Sequence, residues 1–487
     1  MIHPRSNLIR FAYVLSILSA AGCAANRSAK LDSVAGAATV RPASENLSTD
    51  DEVLQASFDD AQLGIETESV FESPLQPFQF SSLEDLEQTA LNQNPNLVRL
   101  YREYLAASSR SRYVDELPDP NVGANVFIEP IETAAGSQRA NITVNQTIPW
   151  LSKLSAEEQR ACFEAMAISA DYRAERLRVL AGVRTGWYRL YVIDKQIETT
   201  NANQQLLESL IDIANAKVAT GTASQGDVLL GTLELSRLEE RLLTYHRQRT
   251  AVEAEVNRLV TQEAETRISV PETIPVQSPQ WTAGELYQVA LESQPDFQAA
   301  QLRTQATRWG IEVARLSRRP SVTLSANYFP TDDNRPISPF VNVGENPWSL
   351  GVHMSIPINN EKYSSLQDEA TWKHFASHDS LQVLFDRYDA LIVDLLAEAR
   401  RADETAVLYQ ETILPQARQT LQADQESYSN GTVEFDRVVQ DYRNLLTLEL
   451  GYHQAIGDLA ISVAQIRRAA GQDLPITNAV VPPSPLE

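Results

Sequence analysis

The chain has little of what catalytic or covalently stapled proteins use. Its 487 residues include two cysteines, Cys23 and Cys162, three methionines and six histidines. Two cysteines make no disulfide framework. Three methionines, Met1 included, provide no methionine-rich copper path. No G-x-S-x-G, phosphate-binding glycine loop or Cys-x-x-Cys occurs, so an enzyme has no motif to rest on and no cofactor is expected. Positive charge is scarce, with 41 Lys and Arg against 64 Asp and Glu and a net charge of −23. Phosphate recognition needs clustered cations, so nucleic acid is excluded as a partner. Long hydrophobic runs are missing too. A membrane crossing, if there is one, must then be made by strands and not helices.

The N-terminus predicts export. Arg5 and Arg10 precede an apolar stretch from Phe11 to Ala21, too short to span a bilayer but long enough for a signal peptide. It runs through Ala20-Ala21-Gly22 into Cys23. Small residues leading into a cysteine resemble a bacterial lipoprotein signal, in which Cys23 becomes the acylated first residue, although Ala20 stands where Leu is usual. Acyl chains such as palmitate add about 0.8 kcal/mol per buried CH2, so several anchor firmly. Ala24, which is not the Asp of inner-membrane retention, fits delivery to the outer membrane. The organisation expected is a signal peptide at 1–22, an acylated cysteine and acidic tether at 23–80, two repeats at 81–280 and 281–475, and a disordered tail at 476–487. Between Arg41 and Arg99 there is no Lys or Arg, and the tail carries Pro482, Pro483 and Pro485.

The repeat is explicit. Ala90-Leu91-Asn92-Gln93-Asn94-Pro95 recurs as Ala290-Leu291-Glu292-Ser293-Gln294-Pro295. Pro120 matches Pro320 and Pro130 matches Pro330; Pro149 recurs as Pro357, and Gly221-Thr222 as Gly431-Thr432. Each half therefore reads helix, strand, strand, long helix, turn, helix. Leu177, Leu180, Val183, Trp187, Leu190, Ile193 and Ile197 step by three and four along one helix face, as do Leu445, Tyr452, Ile456, Leu459, Val463 and Ile466. Between Pro149 and Gly221, and between Pro357 and Gly431, helix breakers are few, and such segments reach on the order of 100 Å. Pro415 predicts a kink or break. Stripes this long need helical neighbours.

Four segments alternate with period two. Val122, Ala124, Val126 and Ile128 form the apolar side of the first; Ile142 and Val144 of the second; Val322, Leu324, Ala326 and Tyr328 of the third; Leu350, Val352, Met354 and Ile356 of the fourth. Asn, Ser, Thr and His fill most of the intervening positions. Each has the length of a transmembrane strand, and the links Pro130–Arg139 and Pro330–Trp348 suit extracellular loops. Four strands cannot close a barrel and an open edge cannot face lipid, so further copies must complete it; three copies would supply twelve strands. The alternative is a soluble sheet packed on helices.

In order, spacing and duplication these segments resemble the TolC-like outer-membrane efflux proteins over residues 82–472. Ala90-Leu91 with Asn94-Pro95, Gly351 to Pro357, and Tyr428-Ser429-Asn430-Gly431-Thr432 carry the resemblance. Gln146 to Leu154, with Lys153, is similar to the heavy-metal branch. The resemblance implies a mainly α fold with membrane β: a homotrimer with a twelve-stranded β-barrel and a periplasmic α-barrel. It implies a passive exit duct served by a periplasmic adaptor and an inner-membrane RND-type pump. A type I protein-secretion channel and a lipid-anchored periplasmic scaffold are the other readings. It further implies that the two helical tips touch the adaptor through Gly221, Thr222, Ser224 and Asp227, and through Gly431, Thr432 and Glu434. Asp227 doubles as a helix N-cap candidate. A pore constriction is implied just past the second tip. There Arg437 and Gln440 stand where relatives carry acids, with Asp436 and Asp441 beside them. His374 and His378 have metal-ligand spacing beside Asp379 but lack a third ligand in the zinc-protease arrangement, so exposed helix surface is expected, and Cys162 reads as a packing residue.

Overall fold

A computed structural model describes residues 82–276, 279–337 and 339–472; the calls on 1–22, Cys23, the tether and the tail lie outside them. The order is α1 (Leu83–Gln93), α2 (Pro95–Tyr113), β1 (Asn121–Thr133), β2 (Gly136–Ile148), α3 (Leu151–Ala219), α4 (Gln225–Val260), α5 (Ala283–Ser293), α6 (Pro295–Leu316), β3 (Ser321–Tyr328), β4 (Trp348–Ser355), α7 (Asn360–Leu408), α8 (Leu414–Ser429) and α9 (Phe435–Ala470). The described residues are mainly helical with one four-stranded antiparallel sheet, ordered β1-β2-β3-β4.

The first helix expected in each half is two helices. Pro95 and Pro295 break it, because a proline disfavours helical geometry in the residue before it. Asn94 and Gln294 take extended backbone there, at ψ 119° and 116°. Each then caps the next helix: the Asn94 side chain accepts from the Asn96 and Leu97 amides, and that of Gln294 from the Asp296 amide.

The long helices form as expected. α3 runs for 69 residues without a break, about 100 Å. α7 starts at Asn359, whose side chain accepts from the Lys362 amide at 3.0 Å. A π-helical turn over Tyr409–Ile413 separates α7 from α8, directly before Pro415. The widened turn meets the ring and the missing N–H that a regular helix could not absorb.

The two repeats build matching cores. Leu86, Ala90 and Leu97 pack on Val183, Trp187, Leu190 and Val256 of α3 and α4. Leu286, Ala290 and Phe297 pack with Tyr388, Ile392 and Leu396 of α7 and with Leu459 and Ile466 of α9. Each large side chain buried this way contributes roughly 1.5–3 kcal/mol. α3 buries more than the single stripe its periodicity predicts, since Ala161, Ala165, Ala167, Ala170 and Ala174 are buried as well. Gly457 of α9 lies so close to Val192 of α3 that a Cβ there would overlap its methyl group.

Candidate membrane sheet and helical tips

The sheet's register places one set of side chains on one face. Val122, Val144, Ala326 and Leu350 are successive cross-strand partners, as are Ala124, Ile142, Tyr328 and Trp348. The next positions along each strand point the other way. There Thr143 pairs with Gly123 and Asn327, Asn145 with Ser325, and Thr323 with Thr147 and His353. Polar contacts tie that second face together: Asn125 Nδ2 donates to Asn141 at 2.8 Å, the Thr147 and Thr323 hydroxyls lie 3.1 Å apart, and Ser325 Oγ meets His353 Nε2 at 3.1 Å.

The apolar face is bare. Val122, Trp348, Leu350 and Val352 are 71–74% exposed. Among the described residues no helix covers it. A continuous apolar face of this kind marks a surface that meets lipid or another apolar partner. Trp348 and Tyr328 pair at the loop end of the sheet. At the opposite end Arg319 lies 5.5 Å over the Trp150 ring. Aromatic residues bound the band at both ends, as in outer-membrane barrels.

One expectation about the sheet is corrected. Most of Pro130–Arg139 is strand and not loop: β1 and β2 each extend to 13 residues and turn at Ala134-Ala135. The ladder skips between Val126 and Ile131. That bulge holds Pro130, which has no N–H to give a ladder. The fourth strand ends at Ser355, one residue before Ile356. The long β3–β4 link folds back on the hairpin, and Thr133, Gln138, Asn342, Glu345 and Trp348 line a cavity of about 540 Å³ between them.

The two tips are built alike. Gly221 and Gly431 have φ of 73° and 78°, which only glycine adopts without strain. The Thr222 amide donates to Lys217 O at 2.9 Å and the Gly221 amide to Val218 O at 3.0 Å. The Thr432 amide donates to Ser427 O, and the Gly431 amide to Tyr428 O, both at 3.0 Å. This closes the helix ends in the same left-handed cap twice. Thr222 and Thr432 hydroxyls reinforce it on the same carbonyls at 3.1 and 2.9 Å. The expected N-cap role of Asp227 is corrected: Ser224 caps α4, accepting from the Gly226 amide at 2.9 Å. Asp227, three residues on, accepts in return from the Ser224 amide at 3.4 Å. At the second tip Glu434 occupies the N-cap position without a side-chain capping bond.

A link that sequence reasoning did not find joins the tips. Lys217 Nζ donates to Tyr428 O and stands 4.4 Å over the Tyr428 ring. Beneath it Leu210 and Ala214 of α3 share one core with Leu421 and Tyr428 of α8 and Phe435 and Val438 of α9.

The four residues expected to line a constriction divide by exposure. Asp436, Arg437 and Gln440 are exposed, and Gln440 Nε2 donates to Asp436 at 3.2 Å. The Asp441 side chain is only 11% exposed and turns toward α8. Arg437 Nε lies 3.1 Å from Asp424 and 3.5 Å from Asp441. Burial holds the Asp441 carboxyl above the ordinary carboxylate range, while the hydrogen bond from Asp441 lowers that of Asp424. The two acids and Arg437 thus form a compact, partly neutralised cluster. Asp424 carries no sequence signal for this role, since only the packing of α8 on α9 brings it there.

His374 is held by Thr307 Oγ1 at 3.1 Å, and His378 and Asp379 are exposed on the same helix. Cys162 is partly buried on α3.

Residues 286–472, from α5 to the end of α9, match the family described as Outer membrane efflux protein. This part of the chain is an outer membrane efflux protein domain. No curated protein matches the chain. Among solved structures it superposes on the outer-membrane channel OprN with a TM-score of 0.70 at 17% identity, over 80% of this chain and 90% of that one. VceC of Vibrio cholerae gives a TM-score of 0.68 at 18% identity, over 80% and 96% of the two chains. CmeC of Campylobacter jejuni gives 0.65 at 14% identity, over 87% and 94%. The efflux-protein domain covers the second repeat, and the first repeat has the same element order and the same cores. The helical body with a partial sheet is the fold of these outer-membrane proteins.

Proposed function

We propose that the chain is the outer-membrane exit duct of a tripartite efflux pump, a passive channel whose energy comes from elsewhere. The observation that carries this is the sheet: among the described residues it has four strands, one bare apolar face, one hydrogen-bonded polar face and two unpaired edges at β1 and β4. Such a sheet in lipid needs partners for both edges. Three copies give twelve strands, apolar outward and polar toward water. The long helices continue the duct into the periplasm. The paired tips at Gly221 and Gly431 dock a periplasmic adaptor, which joins an inner-membrane RND-type pump. Cys23 carries the lipid that holds each protomer in the outer membrane. OprN and CmeC, outer-membrane channels by name, and the outer membrane protein VceC support this reading. The test is the mass and conductance of the detergent-extracted protein. A species of three chains that forms ion-conducting pores in a planar bilayer is expected. A monomer that is soluble without detergent once the segment through Cys23 is removed would overturn the proposal.

A further inference from the structure

The loop end of the sheet is tied into one unit. The Gly344 amide of the β3–β4 link donates to Ala135 O of the β1–β2 turn at 2.8 Å, and the Asp332 amide to Ser137 O at 3.1 Å. The Ser137 amide donates back to Asp332 Oδ1 at 2.9 Å, across 195 positions of the chain. Arg335 pairs with Glu132 over the same junction, and the Thr331 amide donates to Asn346 Oδ1 at 2.7 Å. Gly136, at φ 143°, lies so close to the link that a Cβ there would overlap Asp332 O. The cavity of about 540 Å³ between the two segments is therefore built in advance, and its size is that of a small-ligand site.

The cavity lies on the apolar side of the sheet. Gln138 precedes Ile142 by four residues on β2, so the two share a face, and Ile142 shares its row with Tyr328 and Trp348. Thr133 follows Ile131, the partner of Gln138, by two residues. Trp348, 71% exposed, thus ends the apolar band and lines the cavity.

The lining selects by chemistry. Thr133, Gln138, Asn342, Glu345 and Asn346 supply a hydroxyl, three amides and a carboxylate. A wholly apolar molecule would strip water from these groups and replace none of its bonds. A free anion would meet Glu345, with Glu132 and Asp332 beside the walls. Neither the Gln138 amide nor the Trp348 indole N–H bonds to another described residue. A neutral sugar satisfies the whole set. Its hydroxyls both donate and accept, as amides and a carboxylate require, and its C–H face stacks on the negative face of an indole.

We propose that this cavity holds the neutral sugar headgroup of a glycolipid. This rests on the exit-duct reading, which puts the loop end of the sheet at the outer surface of the membrane. A lipid is favoured over a free sugar because Trp348 belongs to the cavity and to the band alike. With the headgroup in the cavity, the acyl chains lie along Leu350 and Val352 of the same face. Each part then raises the effective concentration of the other.

The test uses the full-length protein in an amine-oxide detergent, whose headgroup carries no sugar. Dihexosyldiacylglycerol and phosphatidylcholine with the same acyl chains are added in equal amounts, the protein is recaptured, and its bound lipids are quantified by mass spectrometry. The glycolipid is expected to be enriched about tenfold, the combined scale of one ring stack and one hydrogen bond. Trp348→Ala and Gln138→Ala should each remove most of the enrichment. Trp348→Phe, which keeps a ring, and Val352→Ala, deeper in the band, should retain it. Gln138→Ala deletes a side chain that holds no bond in the structure, so it keeps the test readable if Trp348→Ala assembles poorly. A wild-type trimer that shows no enrichment, or an equal loss in Val352→Ala, would overturn the proposal and leave the duct standing. Lactose is the free-sugar arm: a trimer that binds lactose but does not enrich the glycolipid would assign the cavity to a soluble saccharide and overturn the lipid. A wild-type protein that is monomeric without detergent would overturn the duct as well.

Discussion

Asn94 and Gln294, 200 residues apart, perform the same three tasks. Each precedes a proline, each caps the helix that follows, and each donates its side-chain amide to the last carbonyls of the helix that closes its repeat. Asn94 Nδ2 reaches Leu259 O at 3.0 Å; Gln294 Nε2 reaches Arg468 O at 2.8 Å and Ala469 O at 3.0 Å. The carbonyls at a helix end have no partner inside the helix, so a buried end needs a donor from outside. The two amides fasten the start of each repeat to its finish.

Removing that donor is expected to cost stability without changing the fold. Asn94→Ala or Gln294→Ala loses the cap and leaves buried carbonyls unpaired, about 1–3 kcal/mol for each. A lower melting temperature of the detergent-solubilised protein by circular dichroism checks this, and wild-type melting of both variants would refute it.

Overpacking at the α3–α9 crossing should be visible in one cycle. Gly457→Ala drives a methyl group into Val192 and is expected to destabilise by about 1–3 kcal/mol. Adding Val192→Ala should recover part of the loss. A double variant as unstable as the sum of the two single ones would show that the two positions do not touch.

The two faces of the sheet predict opposite tolerances. Val352→Arg places a charge on the apolar face and is expected to cost roughly 2–4 kcal/mol near the bilayer midplane. The trimer recovered from outer membranes should fall severalfold. Thr323→Arg, on the polar face, should assemble and shift the conductance or ion preference of single channels. Equal recovery of the two variants would contradict the assignment of faces.

His453 makes stability depend on acid. Burial, aided by Lys195 and opposed by Glu198 and Glu449, lowers its imidazole to about 4 from an ordinary 6.5. The unfolded chain binds the proton more readily, so stability is full above about pH 6.5 and is lost as pH falls toward 4, up to about 3 kcal/mol over that window. His453→Gln should flatten the dependence of melting temperature on pH between 7 and 4. An unchanged slope would place the acid sensitivity elsewhere.

Local pattern carried much of this protein. The four strands were legible because period-two alternation is written residue by residue, and the long helices because few breakers interrupt them. The duplicated Gly-Thr tips were visible because only glycine relaxes at positive φ. Where a second rule competed locally, the sequence misled: Asp227 fits an N-cap by type, but Ser224 holds the position and Asp227 completes the box. Pro130 suggested a loop, yet a bulge lets the strand run past it.

The sequence by itself determined the repeat, the kinds of elements and which strand face is apolar, since these depend on neighbours a few residues apart. Only the tertiary structure decided what Asn94 and Gln294 fasten, that Lys217 bridges the two tips, and that Asp441 turns inward to Asp424. Those pairs lie between 17 and more than 200 residues apart. Their meeting is fixed by the register of helices packed along most of their length, which no short-range periodicity encodes.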